Sequence, residues 1–196
     1  MKRPLRLALY ALSSVTLAAC TPAPQYFYHL ESVALQSTQN PVFAYSIEIV
    51  SVTVPDVVDR SQIVIQHPDH QISLYETHRW ISPLRFEITS ALVQNLSLRL
   101  PEARIAARPQ SVITHPHFRI NVNFDRIDVY AGGMADFNAL WSITDVKDGQ
   151  RVEGRSTYNA TAPTQTDFSA YATIYSQAVA HIANDITAAL HRQSQP

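Results

Sequence analysis

Residues 118–125 alternate between apolar and polar side chains, and this pattern restricts the possible folds more than any other part of the chain. Phe118, Ile120, Val122 and Phe124 are apolar, and each is followed by Arg, Asn or Asp. Successive side chains of a β-strand point to opposite faces of the sheet, so the alternation predicts a strand with one buried and one wet face. Antiparallel sheets tolerate such half exposure, and the pattern therefore favours an antiparallel sheet that is covered on one face.

Further strands are predicted on both sides of this segment. Residues 45–54 are β-branched and apolar almost throughout, which suits a central strand buried on both faces. Asp148-Gly149 separates two longer strand patterns, and this dipeptide is typical of a tight hairpin turn because glycine adopts positive φ without strain. Shorter strand patterns cover residues 26–31, 63–65, 72–75 and 104–107.

Two amphipathic helices are predicted beside the strands. The first has Ser82 as its N-cap, Pro83 as its first helical residue and Pro101 beyond its end. The second runs from a cap at Asp167 to about residue 191. The chain is therefore predicted to be α+β, a single domain in which two helices pack on a mainly antiparallel mixed sheet. The apolar stripe of the first helix comprises Leu84, Ile88, Ala91, Leu92, Leu96 and Leu100.

The N-terminus resembles a bacterial lipoprotein signal. Basic residues precede an apolar stretch, residues 7–19, that is too short to span a bilayer. Signals of this kind are cut before a cysteine, which then carries diacylglycerol on its sulfur and an acyl chain on its new amine. Residues 1–19 are accordingly predicted to be the signal peptide and Cys20 the lipidation site. The alternative is an ordinary secretory signal with a chance cysteine.

Lipidation would hold the domain close to a membrane. Residues 20–25 form the predicted tether, of which residues 21–25 span about 17–20 Å when fully extended. The folded domain is expected over residues 26–192, and three acyl chains suffice for stable attachment. Thr21 replaces the Asp that favours the inner membrane under enterobacterial sorting rules. Resemblance to those rules predicts the periplasmic face of the outer membrane rather than the inner membrane.

Composition excludes several functional classes. The single cysteine cannot form an internal disulfide. The 15 basic and 16 acidic side chains give no excess of positive charge for nucleic acid. The four glycines form no nucleotide-binding motif. Removing residues 1–19 takes away three basic residues and no acidic one, so the mature domain, with 12 basic and 16 acidic residues, is mildly acidic.

The chain offers weak candidates for catalysis or metal binding. Histidines cluster at residues 67–70 and 115–117, but neither HExxH nor CxxC occurs, and loop histidines of this kind are typical of exposed turns. Ser82 precedes a helix and is explained by capping, and no serine lies in a GxSxG motif. We therefore expect no metal site, no enzyme activity and no cofactor beyond the covalent lipid on Cys20.

Several segments together resemble the ABC-type transport auxiliary lipoproteins of the PqiC type. They are the lipoprotein signal at Cys20, the strand patterns at residues 26–30, 49–55 and 120–124, Leu140-Trp141 and the final helix. The most specific segment leads into the first helix and continues to Leu92, Asn95 and Leu96. It reads Arg79-Trp80-Ile81-Ser82-Pro83-Leu84.

The resemblance implies a role in lipid traffic between the membranes of Gram-negative bacteria. Members of this family work with a periplasmic MCE-domain protein and an inner-membrane permease, and the lipoprotein is thought to dock that assembly at the outer membrane. The chain would then be an auxiliary component without its own source of energy. The remaining alternatives are a periplasmic carrier that holds acyl chains between sheet and helices, and an envelope hydrolase.

Two segments are candidate contacts for partners. Trp80 and Pro83 either brace the entry of the first helix or contact a partner or another subunit, since Trp is enriched at binding hot spots. Gly132, Gly133 and Met134 form either a contact loop or a plain strand connection. Open sheet edges also permit a homo-oligomeric ring, which would suit docking around a channel.

Overall fold

The computed structural model describes residues 23–33, 43–67, 69–164 and 167–194. The predicted signal peptide and Cys20 lie outside these ranges. The helices within these ranges are α1 (Leu84–Arg99) and α2 (Phe168–Gln193). The strands are β1 (Tyr26–Tyr28), β2 (Ser46–Thr53), β3 (Gln62–Gln66), β4 (Ile72–Trp80), β5 (Arg104–Ala107), β6 (Phe118–Val129), β7 (Met134–Asp145) and β8 (Arg151–Thr161).

The strands form two sheets, where the sequence predicted one. The larger sheet has the order β5-β2-β6-β7-β8, and the smaller has the order β1-β4-β3. Hydrogen bonds around Gln66 and Tyr130 join the two sheets. The α+β class is confirmed.

Strand direction in the larger sheet is mixed. β6, β7 and β8 are antiparallel neighbours, as the alternating pattern and the hairpin predicted. β2, however, pairs in parallel with both β5 and β6. The turn before β8 has Gly149 at φ 73°, the left-handed conformation expected of it. All four apolar residues of the alternating segment are at most 2% exposed.

Both helices contribute to one hydrophobic core with the inner face of the larger sheet. The predicted stripe of α1 is buried throughout, from Leu84 to Leu100. The side chain of Asp167 accepts a hydrogen bond from the Ala170 N–H, which confirms the predicted cap of α2. Neither helix of the described residues is long and apolar enough to span a bilayer.

The start of α1 differs from the prediction. Pro83 occupies the N-cap position with φ −51° and ψ 139°, and the helix begins at Leu84. The Ser82 hydroxyl makes no capping bond and donates instead to Oε1 of Glu87 over 2.5 Å. Because Pro83 itself is extended, Ser82 lies one residue too early to reach the free N–H groups of the first turn.

Candidate functional site

The segment that follows the predicted tether is tied to both helices. We call residues 29–33 the anchor strap. Its backbone N–H groups donate to helix side chains at three positions. The bonds run from Leu30 to Glu87 (3.3 Å), from Glu31 to the Ser176 hydroxyl (3.0 Å) and from Val33 to Asn95 Oδ1 (3.2 Å). Upstream, residues 23–25 are exposed, so the chain passes directly from an exposed tether into a fixed position.

The two α1 side chains that hold the anchor strap are polar groups in an apolar environment. Asn95 is fully buried and Glu87 is 7% exposed. Asn95 also donates to the Ala91 carbonyl and accepts from Arg99, so both the nitrogen and the oxygen of its amide have partners. The Glu87 carboxylate lies in the first turn of α1, where the helix dipole favours negative charge. Loss of the Glu87 or Asn95 side chain would therefore leave the backbone N–H of Leu30 or Val33 without its acceptor.

Asn95→Ala tests this attachment. We expect the free energy of unfolding to fall by about 1–3 kcal/mol, because the Val33 N–H and the Arg99 guanidinium lose a buried acceptor. Hydrogen exchange should accelerate most at the Val33 amide. Gln94→Ala, next to it on the exposed side of α1, is the matched control and should change neither quantity. Equal exchange at Val33 in both variants would contradict a structural role for the Asn95 bond.

The structure places the predicted contact residues Trp80 and Pro83 at the entry of α1. The Trp80 side chain is 2% exposed and packs edge-on against Tyr175 of α2, with ring centroids 5.1 Å apart. Pro83 is half-buried. These positions fit the bracing role, and they leave little Trp80 surface for a partner in this conformation. The role of both residues in a partner contact stays a prediction.

Gly132, Gly133 and Met134 connect β6 to β7. The Tyr130 N–H donates to the Met134 carbonyl, the Gly133 N–H donates to the Tyr130 carbonyl, and Gly132 has φ 65°. The Gly132 N–H also bonds to the carbonyl of Pro163. The loop is therefore a hydrogen-bonded turn that leaves the Met134 side chain 49% exposed.

The outer face of the larger sheet, opposite the helices, is polar. Ser51 donates to Asn121 over 2.8 Å and Thr53 donates to Asn123 over 2.6 Å. These side chains line a shallow depression of about 300 Å³ that also includes Leu140. A surface of paired hydroxyl and amide groups suits a protein contact better than an acyl chain, because hydrocarbon would strip water from these groups without replacing it.

A buried carboxylate lies at one end of this face. Glu48 is 4% exposed, with Arg108 Nη2 at 2.9 Å and Arg119 Nε at 3.6 Å from its Oε2 atom. The Arg108 guanidinium holds the pKa of the Glu48 carboxyl below its usual value, although burial acts in the opposite direction. Because two guanidinium groups meet one carboxylate, the cluster has a net positive charge.

One serine–histidine pair and one serine–aspartate pair, each with a buried serine, bear on the hydrolase alternative. Ser46 Oγ lies 2.7 Å from His117 Nδ1, but the same nitrogen also accepts the Ser46 backbone N–H, and Ser46 is 1% exposed. Ser156 donates to Asp185 over 2.6 Å, so a carboxylate rather than an imidazole accepts its proton. A serine nucleophile needs an imidazole base and access to substrate, and neither arrangement supplies both.

Metal ligands do not converge within the described ranges. No three side chains of His, Cys, Asp or Glu there come close enough to hold one ion. The best predicted histidine pairs remain in their loops, where His67 Nε2 lies 2.8 Å from the Ser73 hydroxyl and His115 is exposed.

The carrier alternative requires apolar space between sheet and helices. That layer is filled by packed core side chains. A surface concavity of about 740 Å³ runs between α1 and strand β2. Its lining mixes apolar Phe86 and Val93 with charged Arg85 and Arg108.

Sequence reasoning missed the residues that hold the anchor strap. Asn95 and Glu87 fall among the apolar positions of α1, and such polar interruptions are the signal that could have identified them. Ser176 on α2 interrupts its apolar face in the same way. The buried Glu48 likewise interrupts the β-branched run of β2.

Comparisons with known proteins agree with this architecture. Protein XCC0632 from Xanthomonas campestris has a crystal structure similar to this chain, with a TM-score of 0.67 at 15% identity over 86% of this chain and 97% of that one. A second crystal structure, of an uncharacterized protein, has a TM-score of 0.66 at 21% identity over 85% and 99% of the two chains. At these identities the likeness shows the fold alone. A search of curated protein sequences found no significant match.

The family assignment comes from the sequence profile. Residues 28–187, from β1 almost to the end of α2, match the profile described as the ABC-type transport auxiliary lipoprotein component. This match includes the anchor strap, α1, most of α2 and every strand after β1. The chain therefore belongs to the ABC-type transport auxiliary lipoprotein family.

Proposed function

We propose that this protein is a lipid-anchored docking component of an MCE-type system that moves phospholipids between the two membranes of a Gram-negative envelope. In this proposal Cys20 carries the lipid, the domain lies on the periplasmic face of the outer membrane, and its contacts are with a periplasmic MCE-domain protein that leads to an inner-membrane permease. The protein acts by binding and positioning and has no catalytic role.

The observation that carries the proposal is the anchor strap. The domain begins six residues after Cys20, and within the next seven residues the chain is bonded to both helices. A carrier that shuttles lipid needs freedom to leave its membrane, whereas a docking component needs a fixed position on it. The packed layer between sheet and helices also favours docking over carriage.

The open edges of the larger sheet support a ring of identical subunits. β5 and β8 each have one hydrogen-bonded neighbour among the described strands, so each presents an unpaired edge. The two edges differ in length and sequence, and contact between different surfaces of identical chains generates a ring when it closes. Light scattering of the lipidated protein should give a multiple of the monomer mass, and a monomer at working concentration would contradict the ring.

Affinity capture tests the docking role. The full-length protein with a C-terminal tag, purified from cross-linked envelopes, should recover an MCE-domain protein identified by mass spectrometry. An unrelated outer-membrane lipoprotein with the same tag is the control. Repeated capture without an MCE-domain protein would contradict the proposal. Phospholipid recovered in stoichiometric amounts with the domain would support the carrier alternative instead.

A further inference from the structure

The outer face of the smaller sheet exposes apolar side chains beside the point where the tether enters the domain. Phe27 on β1 is 57% exposed, and Ile81, at the end of β4, is 68% exposed. Phe27 is the pairing partner of Arg79, and the Ile81 N–H continues the same ladder by donating to the Tyr28 carbonyl over 2.8 Å. Because side chains alternate along a strand, Phe27, Arg79 and Ile81 lie on one face.

The opposite face of the smaller sheet is the one that joins the core. Tyr75 and His78 of β4 both pack on Phe168 at the start of α2, with ring centroids 4.7 Å and 3.7 Å apart. A register shift in β4 between Tyr75 and Arg79 lets both rings face the core, and their neighbours Leu74 and Arg79 therefore point outward. Leu74 is 43% exposed, so the outer face also has apolar surface toward the far end of β4.

The charges on this face are largely paired. Arg79 lies 3.5 Å from Glu76. With a mildly acidic mature chain, attraction to anionic headgroups would contribute little, and attachment would have to rest on apolar contact. The exposed aromatic and aliphatic side chains are of the kind that partition into the boundary between headgroups and acyl chains.

The chain length between the lipid and this face restricts what can cover it. Phe27 lies seven residues after Cys20, which corresponds to at most about 23–25 Å of extended chain. That is less than the roughly 40–45 Å thickness of a bilayer with its headgroups. Once the acyl chains are inserted, Phe27 is therefore held within a short distance of the leaflet surface.

We propose that the outer face of the smaller sheet, centred on Phe27 and Ile81, rests on the leaflet that holds the lipid of Cys20. This inference rests on the lipidation that the proposed function assigns to Cys20. The contact is a second, noncovalent attachment, and it fixes which side of the domain faces the membrane and which sides remain free for partners.

Site-specific fluorescence tests this contact on the full-length lipidated protein. Ile81→Cys and, in a separate chain, Phe27→Cys are labelled with the environment-sensitive dye NBD, because the thioether at Cys20 does not react. The proteins are reconstituted into vesicles of phosphatidylethanolamine and phosphatidylglycerol that contain spin-labelled phospholipid. Val112→Cys, in the loop between β5 and β6 and 91% exposed, is the matched control.

The spin labels are expected to reduce NBD fluorescence at residues 81 and 27 and leave it unchanged at residue 112, with the difference retained at high salt. Equal fluorescence at all three positions would overturn the proposal. Dye that is shielded from aqueous iodide but not quenched by the lipid labels would also overturn it, since a second copy would then cover the face. Flotation of the vesicles measures the anchor separately. Protein that does not float refutes lipidation, and protein that floats without quenching refutes only the docking face.

Discussion

Cys20→Ala is expected to give a chain that incorporates no lipid and retains residues 1–19. Cleavage of a lipoprotein signal requires the acylated cysteine, and the chain has no other cysteine to replace it. Each acyl chain contributes about 0.8 kcal/mol per buried CH₂, so the loss of three chains removes essentially all of the membrane affinity that lipid provides.

Metabolic labelling with radioactive palmitate measures this loss, and the apparent mass in a denaturing gel reports whether the signal segment is still attached. Thr21→Ala is the matched control, because it changes the adjacent residue and keeps the cysteine. It should be labelled like the unmodified protein. Palmitate incorporated by Cys20→Ala would mean that the lipid is attached elsewhere, and it would remove the basis for placing the tether at residues 20–25.

Gly154→Ala is expected to destabilise the domain by about 3 kcal/mol, although alanine is normally no worse than glycine within a strand. Gly154 is paired directly with Trp141 across β7 and β8. A Cβ atom at residue 154 would lie far inside van der Waals contact with Cζ2 of the Trp141 indole. The indole is 7% exposed and donates from Nε1 to the Ser156 hydroxyl over 2.9 Å, so it cannot move aside without losing a buried bond.

Urea denaturation of four proteins measures the effect. These are the unmodified protein, Gly154→Ala, Trp141→Phe and the double variant. The smaller phenylalanine ring lacks the indole atoms nearest residue 154, so Gly154→Ala should cost much less in the Trp141→Phe background. A cost that is the same in both backgrounds would show that the indole is not its cause.

Local sequence patterns predicted the parts of the fold that local interactions determine. Asp167 precedes an amphipathic run and caps α2. Gly149 supplies the positive φ of its turn. The alternating residues of β6 predicted that one face of this strand is buried. In each case the residues that interact are neighbours in the chain. The strand boundaries at residues 104–107 were predicted for the same reason.

Long-range pairing was not accessible from these patterns. The β-branched residues of β2 are compatible with parallel or antiparallel neighbours, and nothing in their spacing indicates that β5 and β6 both align with them in parallel. The separation into two sheets likewise depends on the pairing of β1 with β4. Tyr28 on β1 and His78 on β4 are in contact although they are 50 residues apart in the chain. Register between distant strands is determined by packing of the whole core rather than by local pattern.

The candidate site was predicted only in part. The lipidation site at Cys20 could be predicted because the lipoprotein signal consists of consecutive residues. The bonds from the anchor strap to Asn95, Glu87 and Ser176 required two helices and one extended segment to be brought together in space. Trp80 was a candidate because Trp is enriched at binding hot spots. Its contact with Tyr175 on α2 could not be predicted from the residues adjacent to it in the chain.

The anchor strap also determines how mechanical load would enter the domain. A pull on the tether acts first on the short ladder between β1 and β4 and then on bonds to α1 and α2 together. β1 follows the exposed residues 23–25 directly, so the load meets these bonds as soon as it enters the folded domain. Tension on the tether would therefore be divided between both helices rather than carried by one strand edge.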